Sequence, residues 1–218
     1  MARHTKELIS NDIPPDLTSI SVRSTATSSG TTIVAPSDIQ PGDVLVLQDF
    51  SFNSAATVPT SVTPTNFDTP HVDHTVGSYS RHMVSTKLAN GSEAGATITG
   101  MAGTFGVWKH LVVLKGNAPA TSKTVSTPNA QVTTGNPTAQ NVAASGGVAP
   151  LVVFGFYACD NNVNPRTMSP AKDAELNFDT EAFVAWKIQN SSPVNVSVDM
   201  DDEGGANYLA SLYIAMAN

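Results

Sequence analysis

The chain has 218 residues, a net charge of −7, 40% hydrophobic residues and 13% charged ones, the last about half the share usual in soluble proteins. It has no basic block to meet a phosphate backbone and no apolar run long enough to cross a bilayer as a helix, so neither nucleic acid nor a membrane is expected as partner. Its one cysteine, Cys159, excludes an internal disulfide and a multi-cysteine zinc site, and a surplus of Ser, Thr, Asn and Gly favours strands and turns over helices.

Residues 1–18 form a polar N-terminal arm containing Pro14-Pro15. The stretch MARHTKELISNDIPPD has no apolar centre and does not read as a secretion signal, so synthesis in the cytoplasm is expected. A first β half follows over 19–116, with strands predicted at Val44–Leu47, Val84–Leu88, Ala96–Ile98 and Trp108–Leu114. In VSTKL, Val84, Thr86 and Leu88 share one face while Ser85 and Lys87 take the other. A Ser/Thr/Pro-rich connector occupies 117–137. It is long for a structureless loop, so part of it is expected to be an edge strand or an extended crossover. The second half, 138–218, has strands predicted at Leu151–Tyr157, Val184–Ile188, Val196–Val198 and Tyr208–Ile214.

The two halves repeat each other. Shifted by one hundred residues, HMVSTKLANGSEAGATITGM falls on AFVAWKIQNSSPVNVSVDM without a gap. Val84 then meets Val184, Lys87 meets Lys187, Leu88 meets Ile188 and Ile98 meets Val198. Further on, Trp108 meets Tyr208, Val112 meets Leu212 and Leu114 meets Ile214. With a slightly larger shift GDVLVLQDF falls on APLVVFGFY. Four strands in each of two related halves predict an all-β fold, an eight-stranded antiparallel β-sandwich of jelly-roll type. The halves form one compact sandwich or two small β domains. The last strand of each half is apolar on its second face as well, at Leu111 and Val113 and at Leu209 and Tyr213. A strand with one face in water alternates more cleanly, so these four residues are candidates for an interface, covered by the arm or by another subunit.

This order of signals resembles a known family. A G-D-V-L-V strand leads to a Thr/Pro turn, then to a β-branched strand ending in KLANGSEAG, a T-I-T strand and W-x-x-L-V-V-L-K-G, and the pattern recurs. It is similar to the β-sandwich domains of tailed-bacteriophage virion proteins: tail fibres, minor tail proteins and head decorations. Those domains usually carry a P-P-A-G-W turn and an R-G after the fourth strand. Here the turn is VTPTNF (62–67), without Trp, and Lys115-Gly116 stands for R-G. The resemblance covers residues 29–217 and implies a structural or attachment role in a virion, with no active-site residues.

Two clusters invite a metal. TPHVDHTVGSYSRHM (69–83) holds three of the five histidines; His71, Asp73 and His74 have ligand chemistry, but their spacing fixes no shared face. The matching stretch of the second half, SPAKDAELNFDTEAF, has no histidine, so the segment reads as a solvated loop leading into a strand near His82. In DMDDEGG, Asp199, Asp201 and Glu203 before a glycine match the opening of a calcium loop. The closing glutamate is missing, since the twelfth position is Ala210, and a charged hairpin tip is the simpler reading. No catalytic motif stands out, and His110, Trp108 and Trp186 read as core residues. The expectation is therefore a non-enzymatic virion protein with no cofactor unless calcium. It would be a homo-oligomer, with a trimer as the expected state, docked on capsid or tail proteins. The alternative is a module that attaches to a host surface glycan.

Overall fold

The last-strand sequence VWKHLVVLKG alternates Trp108, His110, Val112 and Leu114 with Lys109, Leu111 and Val113, and both series are buried. A strand apolar on both faces must lie in the middle of a layered structure, and that is its place here. The computed structural model of the protein describes residues 19–125, 129–134, 140–143, 151–159, 163–169, 171–178, 182–189, 195–202 and 206–217. The arm, 1–18, lies outside them.

The strands of the first half are β1 (Ile20–Ser28), β2 (Thr32–Val34), β3 (Val44–Phe52), β4 (Val72–Val76), β5 (Ser80–Leu88), β6 (Thr97–Thr99) and β7 (Gly106–Gly116). The connector supplies β8 (Ser122–Val125) and β9 (Asn129–Thr134). There follow β10 (Gln140–Ala143), β11 (Leu151–Cys159), β12 (Val163–Ser169), β13 (Ala174–Phe178), β14 (Ala182–Gln189), β15 (Asn195–Asp202) and β16 (Ala206–Ala217). All pairings among them are antiparallel.

Two large sheets result. The first runs β1-β7-β3-β5-β4, and the second β13-β14-β11-β16-β8 with β9 also on β16. They pack face to face over one core. Val44, Val46, Phe50, Trp108, Val112 and Leu114 from the first sheet meet Phe154, Phe156, Val184, Trp186, Leu212 and Ile214 from the second. Side chains of this size, fully buried, contribute about 1.5–3 kcal/mol each. The halves therefore form one sandwich, not two separate β domains.

Each large sheet comes from one stretch of chain. This wiring differs from a double Greek key, whose chain passes back and forth between the sheets. The strand number also exceeds eight: the large sheets take in β1, β4, β8, β9 and β13 beyond the predicted strands, and each half adds a small sheet outside its large one, which holds the strands predicted at 96–98 and 196–198. In the first half β2 pairs β6. Together with Ala35, Ile39 and Ala89, they cover Leu45, Leu47, Leu111 and Val113 on the outer face of the first sheet. In the second half β10, β15 and β12 form a three-stranded sheet, and its strands lie against β11 and β16.

That arrangement corrects the interface expectation. Leu111 and Val113 are fully buried, packed against the chain's own β2, β6, Ala35, Ile39 and Ala89, and need no second subunit to cover them. Tyr213 is buried too. Leu209 stands in β16 opposite Tyr157 and Gln131, its side chain outside the description. The connector expectation holds: β8 and β9 are strands on the flank of β16.

Gly42, in the PGD turn that opens β3, has φ +84° and lies so close to Pro119 and Ala120 that a Cβ would come within 2.6 Å of the Ala120 nitrogen. Gly42 accepts from Ala120 N–H and donates to Ala89 O, tying the end of β5 and the link between β7 and β8 to the start of β3. Only glycine combines that φ with that approach.

Candidate functional site

The histidine stretch is not a loop. Asp73 and His74 sit in β4, a short turn spans 77–79, and His82 lies in β5 directly opposite His74. Period-2 alternation separates the candidates. Asp73 faces outward, where Arg81 Nε donates to it at 2.5 Å and Ser61 Oγ at 2.8 Å. His71 precedes the strand and its Nε2 lies 2.8 Å from Thr86 Oγ1. His74 and His82 face the other way from Asp73. The three candidate ligands do not converge, and among the described residues no group of three or more His, Cys, Asp or Glu side chains could hold a metal ion. Of the calcium candidates, Asp199 and Asp201 fall within β15, and Glu203 lies outside the described residues.

What the first sheet does gather is a polar row across its buried inner face. Gln48 on β3 pairs with His110 on β7 and is diagonal to His82 on β5. Gln48 Nε2 donates to Phe183 O of the opposite sheet at 3.1 Å. A carbonyl can only accept, so the amide nitrogen must face it, and it also faces His82 Nε2 at 3.0 Å. Gln48 Oε1 then accepts from His110 Nδ1 at 2.7 Å. This puts a proton on Nδ1 of His110 and leaves an accepting lone pair on Nε2 of His82, whose ring is therefore neutral. Burial pushes His82 down to about 3, helped by neighbouring His74 and His110, and burial alone takes His110 to about 4. Phe50 meets His82 edge-on, and Phe156 packs near it from the other sheet.

The outer face of the same strands carries a buried ion pair. Lys109 Nζ donates to Asp49 Oδ1 at 2.6 Å and to Met101 O at 3.1 Å, while Met101 N–H donates to Asp49 Oδ2 at 2.7 Å. Burial raises the Asp49 carboxyl above its ordinary value and lowers the Lys109 ammonium below its own, and the attraction between them opposes both. The segment after β6 closes over the pair. A Cβ at Gly100 would stand 2.1 Å from Asp49 Oδ2, so glycine is needed for that approach.

A third cluster joins the sheets at their rim. Asp68 accepts from Thr86 Oγ1 at 2.9 Å and pairs with Lys123 Nζ of β8 at 2.6 Å. Burial would raise Asp68, but the bonds from Lys123 and Thr86 outweigh it and hold the carboxyl below its ordinary value. Partial burial lowers His71 beside it, against the pull of Asp68.

The sequence reading placed His110, Trp108 and Trp186 in the core, where they are. It missed Gln48, Asp49 and Lys109. The signal was present: QD interrupts VLVLQDFSF and KH interrupts VWKHLVVL, and the two dipeptides lie directly opposite each other. Comparison with models of protein families, with curated proteins and with solved structures gives no match.

Proposed function

We propose that the chain is a structural, non-catalytic β-sandwich that assembles with further copies and with capsid or tail proteins on the outside of a tailed-phage virion. One observation carries this reading. The buried ionisable groups of the first sheet are tied into the architecture: Asp49 to Lys109 and Met101, and His82 and His110 through Gln48 to the opposite sheet. Groups held in this way stiffen a scaffold. The strand pattern over 29–217 supports a virion setting, and the common strand order of the two sheets supports an origin by internal duplication.

With Leu111, Val113 and Tyr213 buried, docking falls to other surfaces. Phe105 is the best placed: it is 71% exposed, yet its ring packs on Phe52 at 5.0 Å, and Phe52 in turn stacks on Trp108. A rigid exposed aromatic backed by the core suits an interface anchor. Symmetric particles favour a homo-oligomer, a trimer at a threefold position being the simplest. Light scattering of the purified protein, alone and mixed with virions of the same source, tests this. Oligomers or particle binding that Phe105→Ser weakens are expected. A strict monomer that ignores the particle sinks the assembly role.

A second reading, attachment to a host glycan, is favoured by one specific feature, a polar cleft beside β6.

A further inference from the structure

Between β6, the turn at 65–67, the end of β5 and the turn that follows it lies a cleft of about 210 Å³, lined by Thr65, Asn66, Phe67, Lys87, Glu93 and Thr97 among others. Its charged members are buried: Lys87 is 8% exposed and Glu93 5%. They pair at 2.6 Å. Glu93 Oε2 also accepts the N–H groups of Asn90 and Gly91, so the carboxylate is committed to its turn. The Lys87 ammonium has three hydrogens, and the bond to Glu93 uses one. Phe67 forms a wall, its ring centre 6.0 Å from Lys87 Nζ.

The β6 strand contributes its backbone. Gly100 N–H donates to Thr31 O and Ala35 N–H to Ala96 O, while Ile33 stands opposite Ile98. Bonded pairs alternate along an antiparallel ladder, so residues 96, 98 and 100 face β2. The N–H and C=O groups of Thr97 and Thr99 therefore turn to the other edge of β6, the edge along the cleft those residues line.

We infer that this cleft is a binding site for a single saccharide ring. The C–H face of the ring would lie on Phe67, and its hydroxyls would meet the Lys87 ammonium and the free edge of Thr97 and Thr99. A sugar hydroxyl both donates and accepts, which suits a wall offering N–H and C=O side by side. A phosphate is disfavoured, because the one cation is already neutralised by Glu93 and backbone carbonyls face the space. An added peptide strand is disfavoured as well: the free edge is two residues long, whereas strand addition uses a run of main-chain bonds. The volume is below the ~300–1,000 Å³ of drug-sized pockets, consistent with one ring. The inference rests on the attachment reading and not on assembly.

The test is calorimetric titration of the full chain with glucose, galactose, N-acetylglucosamine, glucuronic acid and short oligomers of each, and separately with a tetra-threonine peptide. Binding of at least one saccharide is expected, with affinity falling about tenfold or more, or about 1.4 kcal/mol, in both Phe67→Ala and Thr97→Trp. Thr97 is exposed, so its variant blocks the cleft without entering the core, and circular dichroism confirms that each variant is folded. Saccharide binding unchanged in both folded variants overturns the cleft while leaving attachment elsewhere. Binding of the peptide but of no saccharide overturns the ligand class. Binding of nothing in the panel overturns both the cleft and the attachment reading.

Discussion

Gln48 and Asp49 are consecutive on β3, as are Lys109 and His110 on β7, and the two dipeptides pair directly across the sheet. Period-2 alternation sends Gln48 and His110 to the inner face, and Asp49 and Lys109 to the outer one. Both pairs are buried, yet they deal with burial in opposite ways. The inner pair stays neutral and reaches Phe183 on the other sheet through an amide. The outer pair is an ion pair, closed over by the chain at Gly100 and Met101. A neutral network leaves few charges to compensate between two large apolar faces. A paired charge penalises any cover that fails to supply its partners, and Met101 supplies both a donor and an acceptor.

Acid should separate the two faces most strongly. His82 and His110 have folded values of about 3 and about 4, below the 6.5 of an unfolded histidine, so unfolding takes up protons in that range. Their contribution to stability is full above pH ~6.5 and is lost as pH falls towards 4 and then 3, at up to ~1.4 kcal/mol per pH unit for each ring. Urea midpoints measured from pH 7 to pH 4 should fall steeply, and His110→Gln should remove about one proton's worth of the slope. An unchanged slope in that variant would show that His110 is not the neutral buried group described.

Removing one charge from the outer face comes next. Lys109→Met leaves the Asp49 carboxylate without its cation and should cost about 3–5 kcal/mol, while the double variant Asp49→Leu/Lys109→Met should recover most of it. Chemical denaturation of the single and double variants reads this directly. If the double variant is as unstable as the single one, the pair is not what holds the cover. The smallest effect belongs to the rim, where Asp68 is 44% exposed. Lys123→Ala should lower stability by less than ~1 kcal/mol, and less still in high salt.

The layout of strands was legible where alternation was strong. Val84 and Val184, Val112 and Leu212, and Leu114 and Ile214 fall on the inner core as their matched positions imply. The first strand of each half was matched one residue out of phase. Laying GDVLVLQDF on APLVVFGFY puts Val44 on Leu151, whereas the ladders place Val44 opposite Leu88 and Val152 opposite Ile188. A slip of one residue exchanges the faces, and runs as uniformly apolar as VLVL and PLVVF carry no alternation to expose it. The covers escaped for a related reason. TIT was read as a strand, but a run as short as TIV or TIT carries too little period to say which sheet it joins, so β6 was counted into the sandwich, its partner β2 was missed, and Leu111 and Val113 looked bare. The cleft was invisible because turn 65–67, Lys87 and β6 meet only after the cover folds down.

The chain finishes one large sheet before it begins the other, and this has a consequence during synthesis. The inner face of the first sheet, with Phe50, Trp108 and Val112, has nothing to lie against until residues 151–216 have emerged. At ~5–20 residues per second that interval is on the order of 5–20 s. During it, the incoming second sheet of a neighbouring nascent chain fits the bare face as well as the chain's own. Exchange of whole sheets between copies is thus the characteristic misassembly of this wiring, and crowding several copies on one message would favour it.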